Sequence, residues 1–420
     1  MDDTASVCRG SLLGLAVGDA MGYAVDAKNL EEIHRDYGPS GLLGYDLVNG
    51  YADVTSHTQL AAYTANGLLI ASTRGQLRGV MAPFVRYIAM AQQEWSKIQV
   101  LRRLPEATSC WISHVEHLRR RVCMDTRMLD VLNNGPLGTV EDTVNDSTEA
   151  SALSAAVSVG LFFHPDRMKP TEVGRLGAEA VALTHGSPEA FLTGAWVAYT
   201  VAGIAQEGAL ALRDQFVQAA EAVAAQFSRQ FPQAMKLKEA VGRGVRMAKN
   251  GLMEPEEAME ALQCQDALGV AAGAVYACLK GEGDFDRSMI LAVNHSGRSA
   301  AVGALTGAFL GAKLGAEALP EFYLECLEPA PELRILAEDP EQYEICGINL
   351  RKADVDYMVY LLKYDSVFRN FNGTVEHEGG DLVVNGHKIK VFSQSDAAMI
   401  PWHECGAEYI IESTGANNTT

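Results

Sequence analysis

The sequence predicts a mainly α-helical protein that ends in a small α/β segment. Three observations predict it. Apolar residues recur at three- and four-residue spacing in 60–71, 171–184, 189–204, 214–227 and 266–280, which is the period of a helix face. Strand-like alternation is scarce up to about residue 330. Beyond it, Leu382-Val383-Val384 and Ile389-Lys390-Val391-Phe392 flank Asn385-Gly386, a strong hairpin signal between β-rich runs.

The elements follow in order. Glycine and proline breaks near 38–44, 134–137, 186–188 and 280–284 separate the helices. Thr171 is placed to cap the helix over 171–184. Asp284 and Asp286 are placed to cap the helix that holds Met289, Ile290 and Leu291. Residues 1–330 therefore read as one all-helical domain, and no internal repeat is visible. Pro329, Pro331 and Pro340 flank an acidic stretch, so 331–344 reads as a linker or a last short helix. Residues 345–420 form the α/β segment, with Ala407–Glu412 as a further strand and a ragged, disordered end from Gly415.

Bulk properties exclude several function classes. The 420 residues suffice for two or three domains with a large core. Asp and Glu exceed Lys and Arg, 53 to 34, for a net charge of −19. That balance speaks against nucleic-acid binding, which Lys and Arg drive. The longest apolar stretches, near 190–204 and 300–312, fall short of the ~20 residues of a membrane helix. The start, Met-Asp-Asp-Thr-Ala, lacks the basic and apolar regions of a signal peptide. The eight cysteines include no Cys-x-x-Cys pair and read as reduced thiols of a cytoplasmic protein.

Four stretches of residues 8–328 carry a family resemblance. They are Arg9–Gly22, Thr55-Ser56-His57-Thr58-Gln59, the loop from Asn145-Asp146-Ser147 to Val159–Phe163, and Asn294-His295-Ser296-Gly297-Arg298-Ser299-Ala300-Ala301. Together they resemble the ADP-ribosylglycohydrolases, most closely the crystallin-J1-type branch. The resemblance implies an all-helical fold, a magnesium pair, and hydrolysis of N- or O-glycosidic ADP-ribosyl bonds. It also implies where the metal positions fall: Thr55, Ser56 and His57 stand for Thr-Asp-Asp, while Arg298, Ala300 and Ala301 stand for Asp, Asp and a hydroxyl. Magnesium takes oxygen ligands, and arginine and alanine offer none.

Other positions are altered as well. Asp26 stands where the family has its cleft glutamate, one methylene shorter, and is the candidate catalytic carboxylate. Thr148–Ala155 replaces a Gly-rich ribose-binding run with side chains that crowd the pocket. Thr184-His185-Gly186-Ser187-Pro188 resembles the family's Thr-His-x-x-Pro turn, where His185 reads as a structural hydrogen-bonder. Asp19, Asn145, His185 and Arg298 are the candidate ligand-binding residues. Arg298 could seal the cleft by pairing with Asp19 or Asp26, or hold a diphosphate. His57, His295, Asp26 and Asp19 could converge on a transition metal instead. Gly14, Gly18 and Gly22 belong to the resemblance but fit close helix packing equally well.

Residues 345–415 resemble a middle slice of the nucleotide-binding half of glyceraldehyde-3-phosphate dehydrogenase. The match runs through Ile348–Ser366, Val384-Asn385-Gly386, Ile400-Pro401-Trp402 and Gly406–Gly415. It implies a Rossmann-derived, incomplete sheet. Asn349, Ser413, Thr414 and Gly415 match positions near NAD in that family. The Gly-x-Gly-x-x-Gly turn that takes the pyrophosphate and the catalytic thiol are missing from the sequence, so hydride transfer is not expected.

The sequence thus points to an ADP-ribosylglycohydrolase-like protein with impaired catalysis, no expected cofactor, and a binding or regulatory role. Its expected partners are ADP-ribose or an ADP-ribosylated protein, and a protein partner for the C-terminal segment, with neither nucleic acid nor membrane. Two alternatives stand beside it: a weak or metal-atypical hydrolase using Asp26, and a structural crystallin-like protein.

Overall fold

The structure, a computed structural model, describes residues 3–26, 28–78, 82–101, 103–122, 125–163, 165, 168–337, 345–352, 354–365, 369–370, 374–407 and 410. The chain forms two compact units, Met1–Ser72 with Ala82–Glu338, and Thr73–Met81 with Asp339–Thr420. Among the described residues no helix is long and apolar enough to cross a membrane.

Among its described residues the first unit is built of helices joined by loops. Helices α1 (Asp3–Tyr23), α2 (Leu30–Tyr37), α3 (from Ser56, ending at Arg78), α4 (Phe84–Leu101) and α5 (Thr126–Asn134) open it. Then come α6 (Leu153–Phe162), α7 (Pro170–Ala182), α8 (Pro188–Gln206), α9 (Leu212–Phe227), α10 (Ala234–Lys249) and α11 (Pro255–Leu262). The last are α12 (Ala267–Lys280), α13 (Phe285–Val293), α14 (Ser299–Leu314), α15 (Glu321–Glu325) and α16 (Ala330–Ala337). The five periodic runs read from sequence match α3, α7, α8, α9 and α12, with 171–184 running two residues past α7 and 266–280 starting one residue before α12.

Helices α1 and α14 form the centre. Both are antiparallel and made largely of small residues, and they touch backbone to backbone. A methyl group on Gly10, Gly14 or Gly18 would lie under 3.0 Å from the carbonyl oxygen of Gly311, Gly307 or Gly303 respectively, and the reverse holds for each partner. Gly22 meets the Ser299 carbonyl in the same way. Hydrogen in place of a side chain is what allows this approach. The other faces of the pair are covered by large side chains. Phe309 on α14 packs edge-on against Trp196 at 5.4 Å and Phe216 at 5.3 Å, a favourable aromatic arrangement.

Two capping expectations need correction. α7 starts one residue earlier than Thr171: Lys169 precedes it, Pro170 is its first residue, and Glu172 accepts from the Lys169 amide at 2.7 Å. Proline suits that position because its missing N–H has no partner there. Asp284 caps α13, accepting from the Arg287 amide at 2.9 Å. Asp286 does not cap; its carboxylate accepts from the Tyr323 hydroxyl.

Of the two readings of 331–344, a linker or a last short helix, the second holds for its first half. Residues 331–337 belong to α16, whose Leu333 and Leu336 are buried in the main core. These two leucines stand at helical spacing. The helical unit thus extends past residue 330 to at least Ala337. Residues 338–344 lie outside the described residues.

Among the described residues the second unit contains helix α17 (Val355–Lys363) and six short strands: β1 (Gly347–Asn349), β2 (Tyr364–Asp365), β3 (Arg369–Asn370), β4 (Val375–Glu378), β5 (Asp381–Val384) and β6 (His387–Phe392). One sheet has the order β1-β6-β5-β4, with β1 parallel to β6 and the rest antiparallel; β2 and β3 form a separate pair. Asn385 and Gly386 join β5 to β6 with φ of 51° and 80°. Positive φ at both residues is the turn geometry that matches strand twist. Met358, Leu382 and Ile389 form the small core. The strand read over Ala407–Glu412, the ragged end, and Ser413, Thr414 and Gly415 lie mainly or wholly outside the described residues.

Candidate functional site

The N-terminal ends of α3 and α14 meet the C-terminal part of α1, and this brings Asp19, Asp26, His57 and Arg298 into one region. Helix N-termini carry unsatisfied amides and a partial positive charge. In this protein, side-chain carboxylates from α1 and just beyond it satisfy them.

Asp19 is fully buried and accepts four hydrogen bonds. Thr55 gives its hydroxyl at 2.5 Å to one oxygen and its amide at 2.8 Å to the other. Thr58 gives its amide at 3.0 Å and its hydroxyl at 2.6 Å. Thr55 Oγ1 also accepts from the His57 amide at 3.2 Å. Asp19 is therefore the cap of α3, supplied from another helix. Asp26 does the same for α14, accepting from the Ala300 amide at 2.9 Å.

Burial pushes the Asp26 carboxyl above its usual range. The Ala300 amide, His57 and Arg298 pull it partly back, and the Asp19 charge adds to the rise. The folded protein therefore holds this proton more tightly than the unfolded chain, whose reference value is 3.8. Stability from Asp26 is greatest at low pH and is lost as pH rises through the folded value. Asp26→Asn keeps an oxygen for Ala300 and removes the ionisation. We expect it to be at least as stable as the parent at pH 7, with its advantage shrinking toward pH 4. Urea melts at both pH values test this, and a large loss at pH 7 would contradict it.

Arg298 pairs with neither Asp19 nor Asp26, in contrast to the expectation from sequence. Its Nη2 donates to both oxygens of Glu149, at 2.9 and 3.1 Å. Asp19 and Asp26 already have their donors, so the guanidinium reaches outward. Its backbone amide donates to the Cys264 carbonyl at 2.7 Å. Ser299, Ala300 and Ala301, all buried, begin α14.

The magnesium pair implied by the resemblance does not fit these residues. Both Asp19 oxygens face protein donors. Ser56 and His57 supply no carboxylate, nor do Arg298, Ala300 and Ala301, and the guanidinium repels a cation. Among the described residues no three His, Cys, Asp or Glu side chains are arranged to hold a metal ion. His295 is buried, and burial pushes its imidazole down to about 4. Its Nε2 lies 3.0 Å from the Ala292 carbonyl, which makes it a neutral donor.

Two ligand-binding candidates hold loops instead. Asn145 Oδ1 accepts from the Ser147 and Gly186 amides at 3.0 and 2.9 Å, and its Nδ2 donates to the Thr184 carbonyl at 2.8 Å. His185 is almost wholly buried. Its Nε2 lies 2.8 Å from Ser151 Oγ and 3.2 Å from Asp125 Oδ2, and its Nδ1 lies 2.8 Å from Thr184 Oγ1. Burial opposes ionisation of Asp125, but hydrogen bonds from His185, Ser151 and the Met128 amide outweigh it and hold this carboxyl far below its usual range. An anionic Asp125 requires the hydrogen on Nε2, so His185 donates to the cluster and is not a base for Ser151.

Glu149 and Asp125 were missed by sequence reasoning. For Glu149 a signal existed: an acid appears in the ribose loop of the same chain in which an arginine replaces a metal ligand. For Asp125 there was none, because its partners Ser151 and His185 are 26 and 60 positions away. In the second unit, Asn349 is occupied structurally: Oδ1 accepts from the Gln394 amide at 2.8 Å and Nδ2 donates to its carbonyl at 3.1 Å.

The sequence model of the glyceraldehyde 3-phosphate dehydrogenase NAD binding domain matches residues 332–420. Curated relatives agree with it. The glyceraldehyde-3-phosphate dehydrogenase of Monascus purpureus is 51% identical over 79 residues, covering 19% of this chain and 23% of its own. That of Lentinula edodes is 57% identical over 87 residues, 21% and 26% of the two chains. Glyceraldehyde-3-phosphate dehydrogenase 2 of Drosophila melanogaster is 56% identical over 75 residues, 18% and 23%. The chain thus spans about a quarter of the length of these relatives. A solved chain titled "ADP-ribosylglycohydrolase-related protein complex" covers 80% of this chain and 97% of its own, at 21% identity and a TM-score of 0.48. The sequence model of ADP-ribosylglycohydrolase matches residues 1–348, most of the chain, and the chain belongs to that family.

Proposed function

We propose that the protein binds ADP-ribose or an ADP-ribosylated protein in the cleft of a glycohydrolase fold and does not hydrolyse it efficiently. The observation that carries this reading is the state of Asp19. Its carboxylate is spent on Thr55 and Thr58, at the place where the family resemblance implies metal-bound chemistry. Paired cations would orient the ribose and polarise the bond being cleaved. This chain offers amides, a hydroxyl-capped carboxylate and a guanidinium there. Residues 345–420 take no part in hydride transfer on this reading, and serve as a docking segment.

A second reading rests on Asp26. A buried carboxyl with raised proton affinity, near His57 and Arg298, is of the kind used for general acid catalysis. It supports a slow, metal-independent hydrolase.

Elemental analysis of the purified chain and calorimetry with ADP-ribose separate the readings. The expected result is no stoichiometric magnesium or manganese and a binding heat that magnesium does not change. Two bound ions per chain would overturn the proposal. Slow release of ADP-ribose from a modified protein, lost in Asp26→Asn, would establish the second reading.

A further inference from the structure

The ion pair between Arg298 and Glu149 joins two changed motifs. One residue stands at a lost metal position and the other in the run that replaces the glycine-rich loop. They are 149 positions apart, and their side chains are 44% and 43% exposed. The backbone around Glu149 is fixed. The Thr148 carbonyl accepts from the Ala267 amide at 2.9 Å, and Ser151 is held by Asp125 and His185. From this anchored backbone the partly exposed Glu149 side chain reaches Arg298.

The other charges nearby have their own counterparts. Asp19 is neutralised by the amides and hydroxyls at the start of α3, and Asp26 by the Ala300 amide at the start of α14. His57 and Arg298 both lie near Asp26. Glu149 is the carboxylate hydrogen-bonded to Arg298 among the described residues. A guanidinium accepts a phosphate as readily as a carboxylate.

We propose that Glu149 is a built-in substitute for an anionic ligand, and that a phosphate or diphosphate group entering the cleft displaces it from Arg298 without a metal. This rests on the binding reading above and adds to it the residues that select the ligand's charge. An exposed ion pair is a weak competitor, and its removal changes an affinity by about fivefold at most. Loss of the arginine removes the recognition group itself.

The test titrates inorganic pyrophosphate and, separately, ADP-ribose into the full chain in EDTA at low salt. Glu149→Gln should bind both about fivefold more tightly than the parent, and the difference should vanish in high salt. Arg298→Met should lose at least about tenfold for both, and Arg298→Lys should fall between. Circular dichroism verifies that each variant folds. Tighter binding by Arg298→Met, or no gain in Glu149→Gln, overturns the exchange. If all variants bind ADP-ribose equally, the exchange is wrong while the binding reading stands. If neither parent nor Glu149→Gln binds ADP-ribose, the binding reading falls as well.

Discussion

Gly307→Ala should destabilise the helical unit by about 3 kcal/mol or more, the upper part of the range for overpacking. The added methyl would sit under 3.0 Å from the Gly14 carbonyl oxygen. Neither atom can rotate away, because both belong to helix backbone. The only relief is to part α1 from α14, which loosens contacts along both helices. Gly14→Ala should cost a similar amount for the same reason. The double variant should cost less than the sum, since helices already parted have room for the second methyl. Urea denaturation of the three variants checks this, and an unchanged midpoint for Gly307→Ala would show that the helices are not in backbone contact.

Asp19→Ala should be almost as damaging, while Asp19→Asn should be mild. Alanine leaves the Thr55 and Thr58 amides buried without an acceptor. Each unsatisfied group costs about 1–3 kcal/mol, so the loss should reach about 3 kcal/mol or more. Asparagine can place its oxygen where three donors converge, from the Thr55 amide and from the Thr58 amide and hydroxyl. Its NH2 then faces Thr55 Oγ1, which can turn and accept. About 1 kcal/mol is expected for losing the charge-assisted bonds. Thermal melts of both variants decide it. Equal damage from the two would mean that the negative charge itself, not the count of acceptors, holds α3 in place.

The two variants also show what the sequence revealed and what it hid. The helices were legible because their apolar residues recur at the helix period over 11 or more positions, as in 189–204. The β5–β6 turn was legible because Asn385-Gly386 has a local meaning. The glycines of α1 suggested close packing but not their partners, which lie on α14. The cluster at the site followed from the family resemblance of the motifs, which implied that Asp19, Asp26, His57 and Arg298 gather in one place. It did not tell which hydrogen bonds they would make. Asp19 finds its donors 36 and 39 positions away, and Arg298 finds Glu149 across 149. Such pairings depend on which donors reach each oxygen first, a matter of ångströms in the folded state. The stretch after Pro329 reads equally as a linker or a last short helix, and only the burial of Leu333 and Leu336 decides for the helix α16.

The glycine contacts between α1 and α14 have a consequence for how the chain is made. Ser11 donates its hydroxyl to the Ala308 carbonyl, 297 positions away. During synthesis α1 therefore lacks its central partner until nearly three hundred further residues have been added. Contacts so distant in sequence carry a large loop-closure cost before they return any stability. Until then α1 exposes Leu12, Leu13, Val17 and Met21, all buried in the finished fold. The nascent protein spends its synthesis with an apolar helix uncovered, the condition in which chains aggregate or recruit chaperones. Closure by α14 is thus a late step, and it completes the core and brings the Ala300 amide to Asp26 in the same event.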